Sequence, residues 1–281
     1  MSPGHQQEHV LVTGADGFLA RAVCPLLAGH MRVHALVRSD ADMPRPGVAH
    51  AYTAVDQLTV TPVAILHLAA RIPRGQTFTR EELDASNVDL VDTLLARFPT
   101  ARHVLASSVS VYGLPAELPL RAETAVAPNT DYGRSKQAAE VRVARVRDHA
   151  IIRFASLIGV GMASGSFIPA AVDAARSGRI TVIGDGSRLQ NYLDVEDAAR
   201  QCLAALDRPG NFLALGVSAR SASNLEVARL LSAQTGAQIV HVAGEQGPSF
   251  VYATDARSDL GSASARPLAV TLDRMLSACT S

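Results

Sequence analysis

Through the first 160 residues, short apolar runs alternate with amphipathic stretches. His9-Val10-Leu11-Val12 predicts a strand, and Thr13 to Ala20 leads from it into an amphipathic helix that continues to about Ala28 and stops at Gly29. Arg32 to Val37 predicts a second strand. A loop carrying Pro44, Pro46 and Gly47 follows, then a weak strand near Val48 to Thr53 and a strong one from Val63 to Leu68. Glu81 to Phe98 has helical periodicity, His103 to Ser107 predicts a strand, Tyr132 to Arg147 a long helix and Ala150 to Phe154 another strand. Strands and helices alternating at this spacing predict an α/β fold, a doubly wound parallel sheet covered on both faces. Beyond about Gly159 the pattern loosens into Gly/Ser-rich loops at 161–166, 184–187 and 218–223. The expected division is a main domain over residues 1–160 and a smaller substrate-binding region over 161–281, with segments of the latter returning to the main domain.

At 281 residues the chain is long enough to bury a full core. Its formal charge is zero and its arginines are scattered, which argues against a nucleic-acid or membrane surface. Residues Met1 to His9 are polar, and no apolar run has the length of a membrane span, so a cytoplasmic location is expected. Cys24, Cys202 and Cys279 are odd in number and far apart, without CxxC spacing, which argues against a disulfide framework and against a metal site.

Two local patterns carry chemistry. Gly14-x-x-Gly17 sits at the first strand-to-helix junction, where Gly14 permits a tight turn, Gly17 lets the backbone approach a pyrophosphate, and the helix N-terminus offers N–H donors. Ala20 keeps the third position small. This is the dinucleotide-binding arrangement of a Rossmann-type sheet. Arg38-Ser39 at the end of the second strand suits a 2′-phosphate and favours NADP over NAD, whereas Asp40 two residues later would suit a ribose hydroxyl. The second pattern is Tyr132-Gly133-Arg134-Ser135-Lys136. Of 26 basic Lys and Arg residues only Lys136 is a lysine, and it stands one helical turn after a tyrosine. An ammonium there lowers the phenol's pKa from its usual ~10, which makes Tyr132 a candidate general acid/base. Arginine, a rigid planar fork, is a poor substitute for that compact charge.

Together with these, His67-Leu68-Ala69-Ala70, Asn87, Ser107-Ser108-Val109-Ser110-Val111-Tyr112-Gly113, Arg153, Gly184-Asp185-Gly186-Ser187 and Tyr192-Leu193-Asp194-Val195-Glu196-Asp197 make an ordered set. Over about residues 8 to 232 the chain resembles the extended short-chain dehydrogenase/reductases, the NAD-dependent epimerase/dehydratase family that acts mostly on nucleotide sugars. The resemblance implies that Ser108 orients the substrate oxygen, that Tyr132 is the acid/base and that Lys136 also holds the nicotinamide ribose. It implies a cofactor site at Gly14, Gly17, Phe18, Leu19, Arg38, Leu68, Ala69, Ala70, Tyr132 and Lys136. His67 is expected to be a core histidine and Tyr112 a wall of the site. The family's homodimers imply a dimer here through the helices at Glu81 to Phe98 and Tyr132 to Arg147.

The departures narrow the reaction. Family dehydratases carry an Asp-Glu pair after the serine or threonine, and some reductase-epimerases a cysteine; this chain has Val109 and Ser110. What remains is C4 ketoreduction or C4 epimerisation of a nucleotide sugar, which needs only Tyr132, Ser108 and a hydride. Many family members direct an asparagine and an arginine at the sugar-nucleotide diphosphate where this chain has Ser156 and Gln190, with Asn191 for an aspartate; Arg188 is a nearby cation. Those changes favour an alternative substrate, a non-sugar ketone reduced with NADP. A dinucleotide-sensing protein without turnover is a third possibility, against which the retention of Ser108, Tyr132 and Lys136 counts.

Overall fold

The structure, a computed structural model, describes residues 7–39, 45–73, 76–256 and 258–278; Asp40, Pro44 and Cys279 lie outside the described residues. In chain order the elements are β1 (His9–Thr13), α1 (Phe18–Leu27), β2 (Arg32–Leu36), β3 (Val48–Tyr52), β4 (Ala64–His67), α2 (Arg80–Asp84), α3 (Leu90–Arg97), β5 (Arg102–Ser108), α4 (Asp131–Val143) and β6 (His149–Phe154). There follow β7 (Ser156–Ile158), α5 (Phe167–Arg176), β8 (Arg179–Ile183), β9 (Leu189–Gln190), β10 (Tyr192–Asp194), α6 (Val195–Asp207), β11 (Phe212–Gly216), β12 (Ala222–Ser223), α7 (Asn224–Thr235), β13 (Gln238–Val242) and α8 (Leu268–Ser277).

Among the described residues seven strands form one parallel sheet in the order β11-β6-β5-β4-β1-β2-β3. The order reverses direction beside β1, and at that switch point the carboxyl ends of β1 and β4 open into a crevice. Each strand places alternate residues on opposite faces. Val10, Val12, Val33, Leu66, Val104 and Ile152 pack under α1 and α6 on one face, with Val23, Ala198 and Cys202 from the helices. On the other, Leu11 and Ile65 pack with Leu94 and Phe98, and Leu105 and Ile151 with Val91, Ala139 and Val143 of α3 and α4. The strands are apolar on both sides for this reason. After β7 the chain builds a smaller layer in which α5, α7 and α8 enclose Ile168, Val172, Val227, Leu231 and Leu272. α6 and β11 then return to the main sheet. The parallel pair β8 and β13 gives this region more order than its loop-rich sequence suggests.

Two expected helices differ in extent. Glu81 to Phe98 is broken by a π turn at Ala85–Asp89 between α2 and α3. The wider turn directs Asn87 inward, where its amide bridges Arg71 and Ser135, so a local packing demand overrides regular periodicity. The helix expected to reach Arg147 ends at Val143, and a turn reverses the chain toward β6.

Candidate functional site

The crevice at the strand ends is a cleft of about 1580 Å³. On one side its shape follows from Thr13. The Thr13 hydroxyl accepts from the backbone N–H groups of Leu68 (3.1 Å) and Ala69 (3.0 Å), drawing the loop after β4 against the turn after β1. Gly14 sits in that contact with φ +68°, and a Cβ there would lie 2.6 Å from Ala69 Cα, so any larger residue would be both strained and in collision. Gly17 caps α1 with no side-chain hydrogen bond, and the first turn of the helix carries no acid. The donors of that turn and the helix dipole are therefore suited to a phosphate. Phe18, Leu19, Arg38, Leu68, Ala69 and Ala70 line the same cleft.

One residue at this end escaped the sequence reading. Arg45 donates from Nε to Asp16 of the glycine turn (2.6 Å) and from Nη2 to the Ser39 carbonyl (3.3 Å), tying that turn to the segment after β2. Arg38 is exposed on that segment.

Across the cleft stand Ser108, Tyr132 and Lys136. Ser108 ends β5 and caps the short 3-10 turn Val109–Tyr112, its hydroxyl accepting from Ser110 N–H at 3.2 Å. Thr130 caps α4 by accepting from Gly133 N–H at 3.0 Å, and a Cβ on Gly133 would lie 2.7 Å from the Ser110 carbonyl oxygen. That absent side chain lets the helix start press against the serine turn, which brings Tyr132 to the same wall as Ser108. Asn87 adds a tie from the other direction: its amide accepts from Arg71 N–H (2.9 Å) and donates to Ser135 Oγ (2.9 Å), and Ser135 donates to the Tyr132 carbonyl (2.9 Å). Asn87 was noted in the sequence only as part of the family resemblance.

Lys136 is 2 % exposed, and burial pushes its pKa down to about 8, with Glu140 one turn later acting in the opposite direction. Glu140 is itself shared. Its Oε1 accepts from Ser107 Oγ (2.5 Å) and Arg153 Nε (3.0 Å), its Oε2 from Arg153 Nη2 (2.7 Å), a buried bidentate pair. Arg153 also donates to the Tyr112 hydroxyl (3.0 Å) and the Ala122 carbonyl (2.8 Å). Tyr112 thus departs from the wall position expected for it. It is 2 % exposed, packs with Val111, Leu120 and Leu215, and donates to the Arg121 carbonyl at 2.7 Å.

The far side of the cleft comes from the smaller layer. Arg188 donates from Nε to the Pro248 carbonyl at 3.1 Å, and the Gln190 amide, oriented by its hydrogen bonds, accepts from Arg188 Nη2 at 2.5 Å. Ser156, Tyr192 and Asn224 line this end. Asn191 is buried and pairs with the backbone of Ser218 in both directions, which gives it a structural place outside the cleft. Among the described residues no helix is long and apolar enough to cross a membrane, and no group of His, Cys, Asp and Glu is arranged to hold a metal ion.

Known proteins place this architecture. A curated relative, the uncharacterized protein y4nG of Sinorhizobium fredii (strain NBRC 101917 / NGR234), is 27 % identical over 220 residues, 71 % of this chain and 54 % of that protein, so the chain spans about half the length of the curated relative it matches. Among solved structures, MoeE5 in complex with UDP-glucose and NAD superposes with a TM-score of 0.77 at 25 % identity, covering 95 % of this chain and 97 % of that one. UDP-N-acetylglucosamine 4-epimerase from Bacillus cereus superposes with a TM-score of 0.81 at 22 % identity over 96 % and 98 %, a likeness of fold. Residues 10–216, about three quarters of the sequence, match a family described as NAD dependent epimerase/dehydratase, and the chain belongs to that family.

Proposed function

We propose that this chain is an NAD(P)-dependent oxidoreductase of nucleotide sugars that transfers hydride at a sugar carbon, by C4 ketoreduction or C4 epimerisation, with Tyr132 as acid/base. The observation that carries the reading is the placement of Ser108, Tyr132 and Lys136 on the same cleft as the Gly14 to Gly17 turn, with Val109 and Ser110 where a dehydratase needs two acids. The residues present fit a dinucleotide: Gly14 and Gly17 leave room for a pyrophosphate at the uncapped start of α1, and Leu68 with the small residues Ala69 and Ala70 supplies an apolar wall.

The bound nicotinamide supplies the hydride acceptor and donor. Tyr132 takes the hydroxyl proton as a sugar alcohol is oxidised and returns it on reduction. The positive charge of Lys136, one helical turn away, favours the phenolate that oxidation requires. Ser108 donates to the substrate oxygen and fixes it beside Tyr132. Arg188, held by Gln190 and the Pro248 carbonyl, is the cation for the substrate diphosphate, in place of the arginine that many family members carry at position 190. MoeE5, crystallised with UDP-glucose and NAD, supports both the substrate class and NAD. Arg38, exposed on the cleft edge, supports NADP, so Arg38→Asp should lower NADP affinity relative to NAD.

The test is incubation of the purified protein with UDP- and dTDP-hexoses and their 4-keto forms, followed by nicotinamide absorbance and NMR of the sugar. A reductase consumes reduced cofactor, whereas an epimerase interconverts C4 isomers without net consumption. Tyr132→Phe should abolish either activity, and unchanged turnover in that variant would refute the role of Tyr132. A second reading, reduction of a non-sugar ketone, draws on Ser156 and Gln190. It would be favoured by turnover of simple ketones in a protein inert toward every nucleotide sugar.

A further inference from the structure

His67 and His103 form a buried pair that the proposed reaction does not use. They lie on neighbouring strands β4 and β5, stacked at 5.3 Å with planes 19° apart, 2 % and 0 % exposed. His103 Nε2 is 3.0 Å from the Phe98 carbonyl, and His67 Nε2 is 2.9 Å from His103 Nδ1. The chemistry of these partners fixes the protons. A carbonyl only accepts, so His103 carries its hydrogen on Nε2. Burial lowers the pKa of both rings, so each is neutral with a single N–H. His103 Nδ1 is then a lone pair, which requires His67 to donate from Nε2. The remaining nitrogen, His67 Nδ1, is therefore an unprotonated acceptor, and it is buried without a protein partner. An unmet acceptor in that position is destabilising, because it has lost its hydrogen bond to water without replacement, so it needs a donor.

The electrostatic neighbour of His67 beyond its partner ring is Lys136, whose positive charge opposes protonation of His67. The two share one face of the sheet: β5 presents Leu105 and Ser107 to α4 on the side where His103 meets His67, and Lys136 lies on that helix. An ammonium has three donors and no acceptor, and the carboxylate one turn away already serves Ser107 and Arg153.

We propose that His103 and His67 form a tautomer lock, anchored on the Phe98 carbonyl, that presents a permanently unprotonated Nδ1 to the Lys136 ammonium through one internal water. His67 is then a positioning residue that keeps Lys136 charged and in place beneath Tyr132. The groups that set this balance are Lys136 and Glu140 from α4, His103 from β5, and Asp148 and His149, whose charges act on His103 from the start of β6. The inference rests on the Tyr132–Lys136 reading for its functional meaning, but its physical content concerns only protons inside the protein.

The single lysine makes the measurement direct, because 13C-lysine labelling gives one side-chain resonance and its titration is that of Lys136. Replacing the acceptor in His67→Leu should lower the Lys136 pKa by roughly one pH unit or more, about the contribution of one hydrogen bond to a charged donor. His67→Asn, whose amide oxygen can stand where Nδ1 stood, should restore most of it, and an unchanged Lys136 pKa in His67→Leu would overturn the proposal. If His67→Leu does not fold, imidazole 15N shifts of the wild-type protein decide: both rings should be Nε2–H between pH 6 and 8, and a hydrogen on Nδ1 of His67 would overturn the lock. None of these readouts involves substrate. Failure of the sugar assays with a normal lysine titration would count against the proposed function alone, and the reverse pattern against the lock alone.

Discussion

Replacing Lys136 by methionine should inactivate the protein and make it more stable. Lys136 is a 2 % exposed amine whose pKa falls from its ordinary 10.5 to about 8 because burial penalises the charge. Below pH 8 both the folded and the unfolded chain hold the proton, and the folded one holds it less favourably. At ~1.4 kcal/mol per pH unit the gap amounts to roughly 3 kcal/mol of stability forfeited at neutral pH. Methionine fills a similar volume without a charge, and Glu140 keeps Arg153 and Ser107 as partners, so no buried carboxylate is stranded. The cofactor-free variant should therefore gain about 3 kcal/mol at pH 7, or roughly 5 °C or more in Tm. Between about pH 8 and 10.5 the unfolded wild-type chain binds a proton that the folded one has released, so wild-type stability rises with pH and the advantage of Lys136→Met shrinks. Urea unfolding of both proteins without cofactor at pH 7, 8, 9 and 10 measures this. A variant equal to or weaker than wild type at pH 7, or an advantage independent of pH, would refute the reasoning.

Glu140→Gln leaves the Arg153 guanidinium buried without its counter-charge and should cost about 3 kcal/mol in urea unfolding; a loss below ~1 kcal/mol would mean that the pair does not hold β6 to α4. Gly14→Ala adds a side chain at φ +68° and 2.6 Å from Ala69 Cα, so calorimetric titration should show dinucleotide affinity reduced by at least ~1.4 kcal/mol, tenfold, with unaltered binding excluding the turn as the pyrophosphate site. His34 contacts His9 at 2.9 Å and Tyr52 at 3.1 Å, and burial, then His9, His50 and Arg32, lower its pKa to about 4. The unfolded chain protonates near pH ~6.5 and the folded one not until about 4, so stability should fall as pH drops through that window and be unaffected above it. His34→Gln should flatten the slope, and an identical acid profile in that variant would clear His34 of the effect.

What could be read from the sequence is what depends on local backbone geometry. Gly14 and Gly17 declare a turn and a helix start because few other residues can occupy those positions, and Tyr132 and Lys136 declare a shared face because helical spacing fixes it. Ser108 was legible as the end of a strand whose apolar run stops there. Asn87 belongs to the set of residues that carries the family resemblance, but its bridge from Arg71 to Ser135 exists only because a π turn interrupts the helix, which residue periodicity does not encode. Tyr112 was expected from the resemblance to be a wall of the site, yet the 3-10 turn buries it against Arg153. Arg45 lay in a Pro/Gly loop with no periodic signal, and only the folded chain brings it to Asp16. Glu140 did leave a trace: Arg153 interrupts the apolar strand Ile151–Phe154, and a buried arginine needs a buried carboxylate. What the sequence lacked was the crossing of α4 over β6 that selects Glu140 from among the acids.

That crossing also bears on the character of Lys136. If Glu140 were free it would neutralise the ammonium one turn away, and the lysine would be an ordinary buried ion pair. Because Arg153 and Ser107 occupy the carboxylate, Glu140 offsets the desolvation of the buried ammonium only in part. The same arrangement makes the site costly to fold, since burial disfavours the charge that the lysine carries. The arginines used elsewhere in the chain could not take this position. A guanidinium does not give up its charge on burial, and its planar fork would seek the carboxylate that Arg153 already holds. The single lysine of the sequence therefore stands where a cation must be compact, buried and only partly compensated.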